Sequence, residues 1–401
     1  MLFKREISRK IRRLAEHFPA IVVTGARQTG KTTLLRELFP AHTYVTLDLP
    51  RNAQMAEEAP EEFLRRFSPP LLIDEIQYAP ALFRHLKVAI DQDREKVGAF
   101  VLTGSQKFNL MKEVSDSLAG RCGIVELETL SCKELGDTLL SSLKSHSNAW
   151  HLSRGFYPQL WKDSQLLSSD FYSSYIATYL ERDVRQILNV SSLRDFERFM
   201  RACAVRSGQL VNKTEIGKET GVTSVTANEW LSVLHSSNQV TLLEPFFGNI
   251  GKRLIKSPKL YFNDPGLLCF LLGLTSQSLE ASYSIGGVWE TFVFGELKKN
   301  LMGHFPQTKL WFYRDPTQEI DFLIDIGGRI TAVETKWTEI PSQKDFATLQ
   351  AVTATSSIFE KKCYVVCRTE QSFPIAKNCI ALNGFRCHEF VQEVTADLSL
   401  E

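Results

Sequence analysis

The chain has 401 residues, 43% hydrophobic and 23% charged, with a formal net charge of +1, which excludes a disordered polyelectrolyte and any molecule drawn to nucleic acid by overall charge alone. Its length implies two to four packed units. Eight cysteines without paired spacing exclude a disulfide or zinc framework, no apolar run is long enough to span a membrane, and the basic start Met1 to Lys10 leads into no secretory h-region, so a cytoplasmic protein with reduced thiols is expected.

Short apolar, β-branched runs alternate with amphipathic stretches over the first 130 residues, at Ala20 to Thr24, Tyr44 to Asp48, Leu71 to Asp74, Ala99 to Thr103 and Ile124 to Leu127. That alternation predicts a parallel sheet wrapped by helices, an α/β unit spanning 1–130. Residues 131–199 read as a helical subdomain in which Phe171, Tyr172, Tyr175 and Tyr179 recur at helical spacing, which favours a packed face over a base-stacking stripe. Within 200–257, a helix beginning near Val211, a turn at Gly221, a second helix capped by Ser224 and the apolar Val240 to Phe247 suggest a winged helix-turn-helix. Residues 258–401 read as a further α/β unit: strands at Lys259 to Phe262, Lys309 to Tyr313, Glu319 to Ile326 and Ile330 to Lys336, with a helix over Gly287 to Asn300.

The first strand runs straight into Gly25-Ala26-Arg27-Gln28-Thr29-Gly30-Lys31-Thr32-Thr33. Glycines between a strand and a helix let the loop curl so that backbone N–H groups and the helix dipole face phosphate, which points to ATP. In that arrangement Lys31 bridges the β- and γ-phosphates and the Thr32 hydroxyl ligates Mg²⁺. The strand Leu71 to Asp74 delivers Asp74 to the same magnesium, and Glu75 is placed to polarise a water. Thr103 or Ser105 is the candidate to touch the γ-phosphate or the water. Hydrolysis also calls for an arginine; Arg121 is the choice, with Arg27 and Arg182 as rivals.

On Gly25 to Thr32, Leu71 to Gln77, Leu102 to Ser105 and Leu118 to Arg121, the N-terminal part resembles the AAA-superfamily P-loop ATPases of bacteria and archaea. The remainder is similar to that family's C-terminal domain of unknown function, through Tyr179-Leu-Glu-Arg-Asp183, Lys259 to Asp264 with Pro-Gly-Leu-Leu, Trp289 to Leu297, and Arg314 to Lys336. The resemblance implies an ATPase module, a winged helix and a nuclease-like fold. Asp321, Glu334 and Lys336 fall on neighbouring strands, with Glu290 on the preceding helix, a set able to hold a divalent metal beside a lysine. It is similar to the PD-(D/E)XK nuclease core, with Ile320 where a proline is usual; an active metal site and structural ion pairing both remain open.

The second helix of the winged-helix stretch carries no Lys or Arg, which weakens a DNA reading, whereas Asn249 to Lys256 is basic and suits a wing. The leading expectation is an Mg-dependent ATPase that switches the winged-helix and nuclease-like modules toward a partner, DNA or another protein. The alternatives are an ATP-regulated metal-dependent DNA nuclease and a regulatory protein that holds ATP without turnover. Assembly into a homo-oligomer is left open.

Overall fold

The computed structural model describes residues 3–105, 107–185, 193–246, 257–301, 305 and 307–396. The chain forms two compact units, one of Met1–Leu130 with Ser236–Asn238, the other of Ser131–His235 with Gln239–Glu401.

In the first unit, β1 (Ala20–Thr24), β2 (Thr43–Thr46), β3 (Leu71–Asp74), β4 (Phe100–Thr103) and β5 (Cys122–Glu126) make a parallel sheet in the order β2-β3-β4-β1-β5. A parallel sheet covered on both faces needs strands that are apolar throughout, and β1 is buried at all five positions. Alternate side chains serve opposite cores. Ile21 and Val23 pack with Leu34 and Leu35 of the helix Lys31–Leu38, while Ala20 and Val22 join Phe83 and Leu86 of the helix Leu82–Gln92. The register sets Val23 beside Thr103 and Thr46 beside Asp74, so the polar ends of β1, β3 and β4 gather at one edge.

The second unit begins with short helices and the longer helix Ser168–Tyr179, which continues into Leu180–Val184. Phe171, Tyr172, Tyr175 and Tyr179 are buried there, with the Tyr157 and Tyr175 rings 5.0 Å apart, so the aromatic stripe is core and offers no surface for base stacking. Helices Lys213–Thr220 and Ser224–Ser236 are joined through Gly221, whose φ of 77° gives the left-handed turn. The second helix is capped by Thr223, one residue before the expected Ser224: its Oγ1 accepts the Thr226 N–H at 3.1 Å. A three-stranded antiparallel sheet follows in the order β6 (Gln209–Leu210), β8 (Lys259–Phe262), β7 (Val240–Leu243). The basic stretch Asn249 to Lys256 and the end of the apolar run at Phe247 lie outside the described residues.

The last sheet is mixed and six-stranded. It runs β13 (Phe373–Ala376), β14 (Cys379–Asn383), β12 (Cys363–Cys367), β11 (Arg329–Thr335), β10 (Glu319–Ile326), β9 (Lys309–Arg314). The helix Ile285–Leu301, longer than the Gly287 to Asn300 expected, contacts β11 and β8. No helix among the described residues is long and apolar enough to cross a membrane.

Candidate functional site

Between β1 and the helix Lys31–Leu38 the backbone makes the turns that the glycines allow. Gly25 has φ 144°, and a Cβ there would lie 2.2 Å from the Leu127 carbonyl oxygen, so a side chain is excluded on both counts. Gly30, at φ 92°, directly precedes the helix. Thr29 Oγ1 donates to the Ala26 carbonyl at 2.9 Å, and Lys31 Nζ donates to the Gly25 and Ala26 carbonyls at 2.9 Å each. The lysine ammonium therefore sits inside the curl of its own loop. Arg27 is half-buried, whereas Gln28 and Thr33 are exposed.

The Thr32 hydroxyl donates to Asp74 Oδ2 at 2.9 Å, and the Tyr44 hydroxyl donates to the same oxygen at 3.0 Å. Burial lifts the Asp74 carboxyl above its usual range; the Thr32 hydrogen bond opposes this and Glu75 adds to it. Burial, then Asp74, pushes Tyr44 up to about 12, so it remains a hydroxyl donor. A neutral hydroxyl and a carboxylate meeting beside Lys31 form the hard-oxygen donor pair that magnesium takes, so the residues fit that ion.

Glu75 follows β3 in the left-handed region, φ 56° and ψ 47°, a conformation uncommon for a non-glycine residue and frequent at functional sites. Its Oε2 accepts from Gln77 Nε2 at 2.5 Å, Ser105 Oγ at 3.2 Å and the Ser105 N–H at 3.3 Å. Of the two candidates on β4, Ser105 is thus the one that reaches the carboxylate; Thr103 is buried and its hydroxyl has no hydrogen-bond partner.

Arg121 is not brought to this edge. It precedes β5, and its carbonyl accepts the Ala20 N–H at the amino end of β1, about 13 Å along the strands from the phosphate loop. Its guanidinium makes two bonds to Asp91, Nε at 2.8 Å and Nη2 at 2.9 Å. The expectation that Arg121 supplies charge to the phosphates of its own chain is therefore corrected. Arg121→Ala is expected to leave steady-state phosphate release unchanged, and a large fall in that rate would restore the residue as a participant.

Three contributors were not anticipated from sequence. Tyr44 and Gln77 fix the two carboxylates. Arg5, buried, donates to the Thr29 carbonyl at 2.9 Å and to the Glu128 carbonyl at 2.7 Å, tying the phosphate loop to the chain that leaves β5. The strand-turn-Gln pattern after Glu75 carried a signal for Gln77; the long-range partners of Arg5 carried none.

In the second unit Asp321, Glu334, Lys336 and Glu290 are neighbours, joined by Lys259. Lys259 Nζ lies 3.1 Å from Glu290 Oε1, 2.7 Å from Glu319 Oε1 and 3.6 Å from Asp321 Oδ1. Lys336 Nζ bonds Glu334 Oε1 at 2.7 Å, while Asp321 Oδ2 accepts the Thr335 N–H and hydroxyl at 2.8 Å each. Burial first and Asp321 second raise Glu290 to about 7, and the same two causes raise Glu334. Among the described residues no group of three or more His, Cys, Asp or Glu side chains is arranged to hold a metal ion. Glu290, Asp321 and Glu334, the expected metal set, are drawn together, with ammonium, hydroxyl and backbone N–H donors on several of their oxygens.

Residues 17–136 match the model of an AAA domain. Residues 146–278 and 285–385 match two domains of unknown function, DUF8612 and DUF4143. Among solved structures, the Walker-type ATPase PABY2304 of Pyrococcus abyssi is similar at 15% identity over 67% of this chain and 96% of its own, with a TM-score of 0.45. The RuvB Holliday junction branch migration motor of Thermotoga maritima is similar at 19% identity over 60% and 89%, with a TM-score of 0.32. The uncharacterized protein Rv2008c of Mycobacterium tuberculosis is 32% identical over 344 residues, 85% of this chain and 76% of that one, and its Mycobacterium bovis counterpart Mb2031c matches equally. The chain belongs to the family of these mycobacterial proteins, and its first unit carries an AAA domain with a P-loop.

Proposed function

We propose that the protein is an Mg-dependent ATPase. The observation that carries this reading is the convergence at one sheet edge of Lys31 in its loop, the Thr32–Asp74 pair, and Glu75 anchored by Ser105 and Gln77. The backbone N–H groups from Ala26 to Thr32 and the Lys31 ammonium bind the phosphates of ATP. Thr32 and Asp74 would hold Mg²⁺, which would supply neutralisation of phosphate charge. Glu75 takes a proton from water as that water attacks the γ-phosphorus; the bond to the β–γ bridging oxygen breaks, and ADP and inorganic phosphate leave.

The second unit is the module that nucleotide controls in this reading, its winged-helix part at 200–257 and its nuclease-like part at 258–401 being presented to a protein or DNA partner. Nucleotide can bias that presentation only by binding one arrangement more tightly than another. The helix Ser224–Ser236, free of Lys and Arg and exposing Val225, favours a protein partner over a duplex phosphate backbone. Calorimetric titration with ATP and Mg²⁺ tests the core of the proposal. Binding that needs magnesium and vanishes in Lys31→Ala is the expected result; affinity unaffected by Lys31→Ala would end it.

A further inference from the structure

The centre built from Glu290, Asp321, Glu334 and Lys336 has the residue types of a metal-dependent phosphodiesterase, and its occupancy by a fifth side chain says otherwise. Lys259 comes from β8, the central strand of the three-stranded sheet, outside the strands and helix that supply the other four. Its side chain is 1% exposed and its Nζ touches carboxylates from the helix Ile285–Leu301 and from β10. A divalent ion drawn to Glu290 and Asp321 would have to stand where this ammonium stands, and like charges at contact distance repel strongly in a buried site. Burial works against the charge of Lys259, but Glu290, Asp321 and Glu319 together hold its pKa above that of an ordinary lysine.

Other oxygens of the set are engaged as well. Tyr261 donates to Glu290 Oε1 at 2.5 Å, the backbone and hydroxyl of Thr335 take Asp321 Oδ2, and Lys336 takes Glu334 Oε1. Among the described residues Glu334 Oε2 is buried without a partner, but a hard cation requires several oxygen ligands together, and Lys259 stands between Glu290 and Asp321. Lys259 Nζ also lies over the Phe312 ring, 5.6 Å from its centroid.

We propose that Lys259 is a built-in cation standing in for the divalent metal of the nuclease-like centre, so that its carboxylates clamp β8 and the helix Ile285–Leu301 to the six-stranded sheet and the centre does not hydrolyse nucleic acid. This goes beyond the ATPase reading and does not depend on it.

The test is Mn²⁺ binding, read by electron paramagnetic resonance of free Mn²⁺ with the full chain, nucleotide-free and carrying Asp74→Asn so that the first unit contributes no site. The parent is expected to show no Mn²⁺ binding that Asp321→Asn removes. Lys259→Ala is expected to gain a site at least about tenfold tighter than any the parent has there. That site should vanish when Asp321→Asn is added, and Lys259→Arg, which keeps a cation, should bind as the parent does. A parent site that depends on Asp321, Asp321-dependent cleavage of DNA with Mn²⁺, or a folded Lys259→Ala that gains nothing would each overturn the proposal. Should Lys259→Ala fail to fold, the parent compared with Asp321→Asn decides alone: Asp321-dependent binding refutes the stand-in, and its absence supports it.

Discussion

Glu75→Gln is expected to lower ATP turnover by about 10²- to 10⁴-fold, the usual contribution of a positioned general base, while Mg-ATP binding is retained. The two effects separate because they belong to different atoms. Phosphate affinity resides in the loop amides and Lys31, whereas Glu75 leaves the end of β3 and its carboxylate accepts from Gln77 and Ser105. Glutamine preserves the length of the side chain and one acceptor oxygen, so the left-handed backbone at position 75 and its contacts on the Ser105 side can persist. All three bonds converge on Oε2, so a carboxamide oxygen turned to that position keeps them, but the carboxamide has no basic oxygen to take the proton of water. Single-turnover phosphate release alongside calorimetry reads both quantities. Equal turnover in Glu75→Gln and the parent would remove Glu75 from the chemistry and leave a protein that holds ATP.

The parallel sheet and its loop were legible because both obey local rules. Runs such as Ala20-Ile-Val-Val-Thr24 declare a strand buried on both faces, and glycines between strand and helix declare a phosphate curl. Boundaries shifted where polar residues finish a strand: the second runs Thr43–Thr46, since Asp48 falls in the turn beyond it, and the fifth begins at Cys122. The three strands at Cys363–Cys367, Phe373–Ala376 and Cys379–Asn383 were not anticipated.

Site geometry was not legible where it depended on partners far away in sequence. Arg121 stands next to a strand of the right sheet, but adjacency does not say which end of the strand is meant, and it lies at the amino end. Lys259 reads as an ordinary strand residue until β8 is laid beside the helix that carries Glu290. The carboxylate grouping itself was visible, because Glu334 and Lys336 are two apart and Asp321 lies on the neighbouring strand. Its counter-ion came from outside any motif.

Asp264→Ala is expected to destabilise the second unit by about 3–5 kcal/mol, the range for removing one partner from a buried, charged hydrogen-bond network. Asp264 is 2% exposed and accepts four hydrogen bonds. The Tyr172 hydroxyl reaches Oδ1 at 2.7 Å, the Gly266 and Leu267 N–H groups reach it at 3.0 Å each, and the Phe156 N–H reaches Oδ2 at 2.8 Å. Two of these cap the helix Pro265–Leu271; the others join segments 92 and 108 residues away. Burial raises this carboxyl, and the Tyr172 and backbone donors pull it back down. Alanine would take the acceptor from three backbone donors and leave the Tyr172 hydroxyl only the Arg154 carbonyl at 3.1 Å, in a place water cannot fill, because Gly155 and Gly266 approach so closely that a Cβ on either would lie under 2.5 Å from the Tyr172 hydroxyl. Asp264→Asn should fall between the two: an oxygen can still serve Tyr172 and the helix cap, but the amide nitrogen confronts the Phe156 N–H. All six tryptophans lie beyond residue 130, so urea unfolding followed by tryptophan fluorescence reports on the second unit alone. An unfolding midpoint in Asp264→Ala equal to the parent's would show that the four bonds do not hold these segments together.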